Sequence, residues 1–300
     1  MPRGVLASLI AVYVIWSSTY LAIRVAVASV PPFLMGGARF VLAGLCLLGL
    51  ARSRGIALPT RREWLGAAPV GLLLFVGGNG FVAIASRDVA SGVTAVVCGT
   101  MPLWAGVMGP VFGQRASGRE WIGMAIGFAG VLALAWGDAL RADLGATLLL
   151  VVAPIAWAIG SLLVKKLPIA AGPAGAGSQM LIGGVLMLAL GALFGERVDL
   201  ASIEPGAWIA MLYLVSFGSL VGFAAYHHLL VHARPAIAMS YAFVNPAGAV
   251  VLAVLAGDQV LGPDVVVATV LVVAAVVVLL RAPRPDASAE ALPAAERSST

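Results

Sequence analysis

Two stretches decide the fold: Gly113-Gln114-Arg115-Ala116-Ser117-Gly118-Arg119-Glu120 and Gly257-Asp258-Gln259-Val260-Leu261-Gly262-Pro263-Asp264. They match glycine for glycine and end on an acid in both, in a register of 144 residues. In that register Trp64 meets Trp208 and Pro102 meets Pro246. Nearer the N-terminus the register is 141, pairing Trp16 with Trp157, Arg24 with Lys165 and Pro32 with Pro173. One such match is noise in a glycine-rich chain. A run of them along both halves is an internal repeat.

The material between these landmarks is apolar. Of 300 residues, 61% are hydrophobic and 10% charged, with a mean hydropathy of +1.05. A soluble domain carries roughly a quarter of its residues as charge, so most of this surface must face lipid. A helix needs about 20 apolar residues to cross the hydrocarbon core. Runs of that length lie at 4–27, 33–51, 64–86, 90–112, 119–137, 143–165, 173–194, 207–230, 235–255 and 262–281. The first is too long for the hydrophobic part of a signal peptide, and its counterpart in the second half marks it as a retained helix. The tail at 282–300 is Pro, Ala, Ser and charge, a composition that stays disordered.

Lysine and arginine set the orientation. With the N-terminus cytoplasmic, thirteen fall in inner loops or the tail and four in outer ones, leaving Arg39 inside a helix. That bias predicts both termini cytoplasmic. Five helices per half is odd, so the second half enters from the opposite face. The expectation is an all-α membrane protein of ten transmembrane helices in two inverted-topology repeats. The halves run 1–137 and 138–281, followed by a cytoplasmic tail at 282–300. Inverted repeats of this kind are common in secondary transporters.

The fourth helix of each half carries Pro102 or Pro246, followed by a short loop with Gly113-Gln114 or Gly257-Asp258. The fifth helix of the first half reads Gly-Met-Ala-Ile-Gly-Phe-Ala-Gly-Val at 123–131. With the ten-helix count, this resembles the drug/metabolite transporter superfamily, EamA-type. Gln114 stands where that family usually has Glu, and the fifth helix of the second half lacks the glycines. The resemblance implies a membrane transporter, and its narrower likeness to the aromatic amino acid exporters implies export of neutral or aromatic amino acids.

The residues constrain the mechanism further. All thirteen acids sit in loops, at helix ends or in the tail. A proton- or sodium-coupled carrier commonly buries a carboxylate in mid-membrane. No Gly-x-x-x-x-Gly-Lys-Ser/Thr phosphate loop is present. Uncoupled transport down the solute's own gradient is therefore expected. The three histidines leave open a proton-linked exporter of drugs or other small organic solutes. No Gly-x-Ser-Gly, Gly-x-Gly-Asp or His-Glu-x-x-His motif suggests an enzyme. The basic residues are scattered among loops, which excludes a nucleic-acid patch. No cofactor or metal is expected: His228 and His232 share a face, but a third ligand is missing from the sequence around them. Cys46 and Cys98 lie in apolar runs and read as free thiols. The expected partners are a small-molecule substrate, an amino acid or similar metabolite, and the lipid bilayer.

Candidate site residues are those that do not belong in lipid. Arg39 is the one charge well inside a helix, at an insertion cost of roughly 2.5–3.5 kcal/mol. It either snorkels outward or binds a carboxylate, and Met180 at the matching position shows that the repeat does not demand a charge. Trp16, Trp104 and Trp157 sit near mid-helix, where packing and cavity lining are both open to them. Trp64, Trp121, Trp136 and Trp208 fall at helix ends, in the interfacial belts. Pro102 and Pro246, the latter after Asn245, are expected to break the fourth helices near a cavity or as packing kinks. Gly77, Gly78 and Gly80 around Asn79 suggest a hinge or close packing. Tyr226, beside His227, and Tyr241 are further candidates, with Ser161 and Gln179 as weaker ones.

Overall fold

A computed structural model describes residues 1–85, 97–135, 144–255 and 263–282. The repeat segment at 257–262, Trp136 and the tail from 283 onward lie outside the described residues, as do the expected helix positions at 86–96 and 136–143. Among the described residues every regular element is helical. They are α1 (Arg3–Val27), α2 (Pro32–Ser53), α3 (Arg61–Ala85), α4 (Met101–Met108), α5 (Gly118–Ala135), α6 (Leu144–Leu163), α7 (Gly172–Leu193), α8 (Pro205–His232), α9 (Tyr241–Leu255) and α10 (Pro263–Arg281). Helices α1, α2, α3, α7 and α8 are long and apolar enough to cross a membrane. Shorter apolar helices occupy Met101–Phe112, Leu148–Leu163 and Val266–Arg281.

The ends follow local chemistry. Proline opens α2 and α8 at Pro32 and Pro205, where its missing N–H is no loss. Thr60 and Glu63 form a reciprocal capping box at the start of α3. Gly55 and Gly195 stop α2 and α7 with φ of 70° and 71°, left-handed values that a side chain resists. Along α1, Leu6, Ile10, Val14 and Leu21 face outward, while Val5, Leu9, Val12 and Trp16 are buried. An apolar exterior of this kind is stable against lipid, not water.

Helix α2 packs most extensively on α7, and α5 on α10. The remaining main pairings come in matched couples when the halves are exchanged: α1 on α8 and α6 on α3, α1 on α9 and α6 on α4, α3 on α7 and α8 on α2. The α2–α7 seam is backbone-close. A Cβ on Gly44 would stand 2.7 Å from the Leu181 nitrogen, and one on Gly184 would stand 2.6 Å from that of Val41. Between apolar helices in lipid, small residues allow the dispersion contacts that hold the pair.

Helices α3 and α8 each widen into a π-helical segment, at Leu72–Gly80 and Leu214–Val221. Such segments insert an extra residue per turn and gather at functional sites. The fourth helices break as well. In the first half the chain turns at Gly99-Thr100, and Pro102 falls in the first turn of α4. In the second half the sequence suggested a break at Asn245-Pro246. The break lies instead at Met239-Ser240, after a single helical turn at Pro235–Ala238, and α9 runs through Pro246. At both breaks a hydroxyl takes a backbone carbonyl of the preceding turn. Thr100 Oγ1 donates to the Val97 carbonyl at 2.6 Å, and Ser240 Oγ donates to that of Ile237 at 2.7 Å. Pro246 removes only one helical bond, and Asn245, Pro246 and Ala247 are all buried.

Candidate functional site

A cavity of about 60 Å³ lies at the centre against the π segment of α3, and the π segment of α8 holds two of its side chains, Trp16 through the Gly218 carbonyl and Arg39 through Ser219. Its walls carry Trp16 from α1, Arg39 from α2, Gly78 and Asn79 from α3, Trp157 from α6, and Tyr241 and Asn245 from α9. Seven of the residues singled out from sequence are thus brought together. Thr19, Ile23, Val82, Cys98, Met101 and Phe223 complete the lining.

Aromatic rings fill most of the space. Trp16 meets Trp157 edge-on at 5.8 Å between centroids, Tyr241 at 4.7 Å and Phe223 at 4.9 Å. Trp157 in turn lies 5.9 Å from Phe223 and 5.6 Å from Tyr226. Edge-to-face and tilted pairs of this sort are each worth about 0.5–1.5 kcal/mol beyond their buried area. Both indoles have their N–H satisfied. Trp16 Nε1 donates to the Gly218 carbonyl at 3.0 Å, within the second π segment, and Trp157 Nε1 donates to the Tyr226 hydroxyl at 2.8 Å. Tyr226 also shares a 2.8 Å bond with Ser161. It therefore supports Trp157 from behind and does not line the central cavity.

Arg39 does not snorkel. It is 3% exposed, its Nε donates to Ser219 Oγ at 2.7 Å, and its Cζ lies 4.7 Å from the centroid of the Phe40 ring. The only ion pair among the described residues is elsewhere, between Arg234 and Glu120 at 3.1 Å. Asn79 Nδ2 donates to the Leu74 carbonyl at 3.1 Å, five residues back, which satisfies the amide within the π segment. Asn245 Oδ1 accepts from Ser17 at 3.5 Å. The cavity therefore offers a guanidinium, two amides and ring faces, and among the described residues no carboxylate.

Other candidates fall outside it. Trp104 is half-buried against Ala105, Ala158 and Met239. Being at mid-helix sets its depth but not its face. A Cβ on Gly77 would meet Ala156, and one on Gly80 would meet Phe33 at 3.2 Å, so both glycines serve close packing. Pro102 and Pro246 are buried in helices that border the cavity without lining it. Phe223 was the residue sequence reading missed most plainly. Its signal was there: it matches Asn79 in the 144-residue register, and both line the cavity.

Near the predicted cytoplasmic ends the helices are tied by polar contacts. Glu120 at the start of α5 reaches Arg234, which also donates to the carbonyls of Leu279 and Ala282. Lys165 Nζ donates to the Ala233 carbonyl at 2.6 Å, and its partial burial lowers its pKa below that of an ordinary lysine. Among the described residues no group of three or more His, Cys, Asp or Glu could hold a metal, and both cysteines are free thiols.

Comparison with known proteins places these features in a family. The EamA-like transporter family model matches twice, over residues 3–136 and 144–281. The chain is 38% identical over 255 residues to the uncharacterized inner membrane transporter YedA of Escherichia coli K12, covering 85% of this chain and 83% of YedA. It is 23% identical to an uncharacterized transporter of Synechocystis, over 80% of this chain and 78% of that one. A solved crystal structure superposes with a TM-score of 0.78 at 18% identity, over 93% of this chain and 96% of the other. The protein is thus a multi-pass protein of the inner membrane. With both halves matched by one family model, the chain belongs to the EamA-like transporter family.

Proposed function

We propose that this transporter exports small metabolites, neutral and aromatic amino acids foremost, by alternating access around the central cavity. The observation that carries the reading is Arg39. It is a buried guanidinium, lined by indole and phenol rings, with no ion pair to a carboxylate among the described residues. Burying an unpaired charge is costly, and a solute carboxylate offsets that cost with a charge-assisted bond. The surrounding rings suit an apolar or aromatic side chain on the same solute. A cavity lined by no acid among the described residues does not favour cations.

In this reading ten helices cross the bilayer as two inverted halves, 1–137 and 138–281, with both termini and the tail at 282–300 cytoplasmic. The matched packing couples and paired π segments support that arrangement. Exchange of conformation between such halves opens the cavity to alternate sides. Transport is driven by the solute gradient, without a cofactor.

The test is counterflow of radiolabelled amino acids in proteoliposomes. Accumulation of a neutral or aromatic amino acid, unaffected by collapse of the proton gradient, is the expected result. Absence of flux for every amino acid removes the substrate class. Strict dependence on the proton gradient replaces the uncoupled mechanism with a proton-linked exporter.

A further inference from the structure

A second, smaller void of about 10 Å³ lies between α7, α8 and the π segment of α3. Three buried polar atoms at this void have no hydrogen-bond partner in the protein: Gln179 Nε2 and both ring nitrogens of His227. Gln179 is 3% exposed and His227 5%. Stranded groups of this kind are costly, and native proteins rarely leave three of them together.

The void's position is related to the repeat. Met180, Phe223 and Tyr226 line it, and they match Arg39, Asn79 and Val82 of the central cavity. The void therefore sits beside the central cavity and shares Phe223 with it. Its polar residues, Gln179 and His227, have no polar match in the first half, which has Ala38 and Ala83 there.

We infer that Gln179 and His227 hold one ordered water in this pocket, tying α7 to α8. The volume suits a single water and nothing larger. The chemistry agrees. A neutral imidazole presents one donor and one acceptor, and the glutamine amide presents donors. A water can accept from Gln179 Nε2 and donate to the unprotonated ring nitrogen of His227, so the bridge serves two of the three atoms. The inference is independent of which solute the central cavity carries.

A double-mutant cycle on the purified carrier in nanodiscs, read by thermal unfolding, tests it with Gln179→Leu, His227→Leu and the pair. Each single change is expected to lower Tm by several degrees, because the bridging water loses a partner and the other side chain is stranded. The double variant is expected to recover at least half of the summed loss. Neutral single variants or strictly additive losses overturn the inference. Should a single variant fail to fold, a high-resolution map of the wild-type carrier decides. Solvent density within hydrogen-bond distance of both side chains supports the inference, and a direct Gln179–His227 bond overturns it.

Discussion

Gly78 and Trp157 meet backbone to ring: a Cβ on Gly78 would stand 2.5 Å from Cε3 of the Trp157 indole. Gly222 stands in the same relation to Trp16, whose indole nitrogen lies against the position a Cβ on Gly222 would take. These are matched positions in the two halves, so the cavity is built from one Gly–Trp contact used twice.

That contact predicts a clash. Gly78→Ala and Gly222→Ala should each destabilise the carrier by about 1–3 kcal/mol through overpacking and impair counterflow by displacing an indole. Gly49→Ala is the control, since nothing lies within 4 Å of a Cβ there. It should be neutral or slightly stabilising. Thermal unfolding and flux measured side by side separate the two classes.

Arg39→Met installs the residue that the second half carries at the matching position. The loss of a charge-assisted hydrogen bond to solute costs about 1.5–3 kcal/mol, a fall of about 10- to 150-fold in apparent affinity for a carboxylate-bearing solute. Arg39→Lys keeps the charge but loses the fixed fork that reaches Ser219, and should fall between. Undiminished affinity in Arg39→Met would remove the carboxylate reading.

Tyr226→Phe deletes the acceptor of the Trp157 indole N–H. The stranded donor should cost about 1–3 kcal/mol. Trp157→Phe in the same background removes that donor, so the pair should lose less than the sum of the two single variants in thermal unfolding.

Glu120→Ala removes the Glu120 carboxylate from the Arg234 guanidinium. The Glu120 side chain is 2% exposed and that of Arg234 20%. Loss of one partner from a buried pair costs about 3–5 kcal/mol. The lower end is expected here, because Arg234 keeps its carbonyl partners at Leu279 and Ala282. Thermal unfolding in nanodiscs checks it.

Helix positions were legible because length and hydropathy are local quantities. The run expected at 33–51 became Pro32–Ser53, and that at 173–194 became Gly172–Leu193. Trp16 and Trp157 were legible as a central pair because the repeat placed them in register, and both line the cavity. The π segments were not, since the choice between four- and five-residue hydrogen bonds is made by packing between helices. Trp104 was misread because sequence depth does not say which way a side chain points. The break assigned to Pro246 fell at Ser240, where a hydroxyl unremarkable in the sequence takes a backbone carbonyl.

The crowding of rings around a cavity of about 60 Å³ has an energetic meaning. Drug-sized ligands occupy sites of roughly 300–1,000 Å³, so a solute enters only as the protein's own rings move aside. Under the proposed function, Trp16, Trp157, Phe223 and Tyr241 act as an internal competitor, and the net affinity is an exchange of ring–ring for ring–solute contacts. Such an exchange is nearly balanced. A passenger held by a near-balanced swap can leave on the far side as easily as it boards.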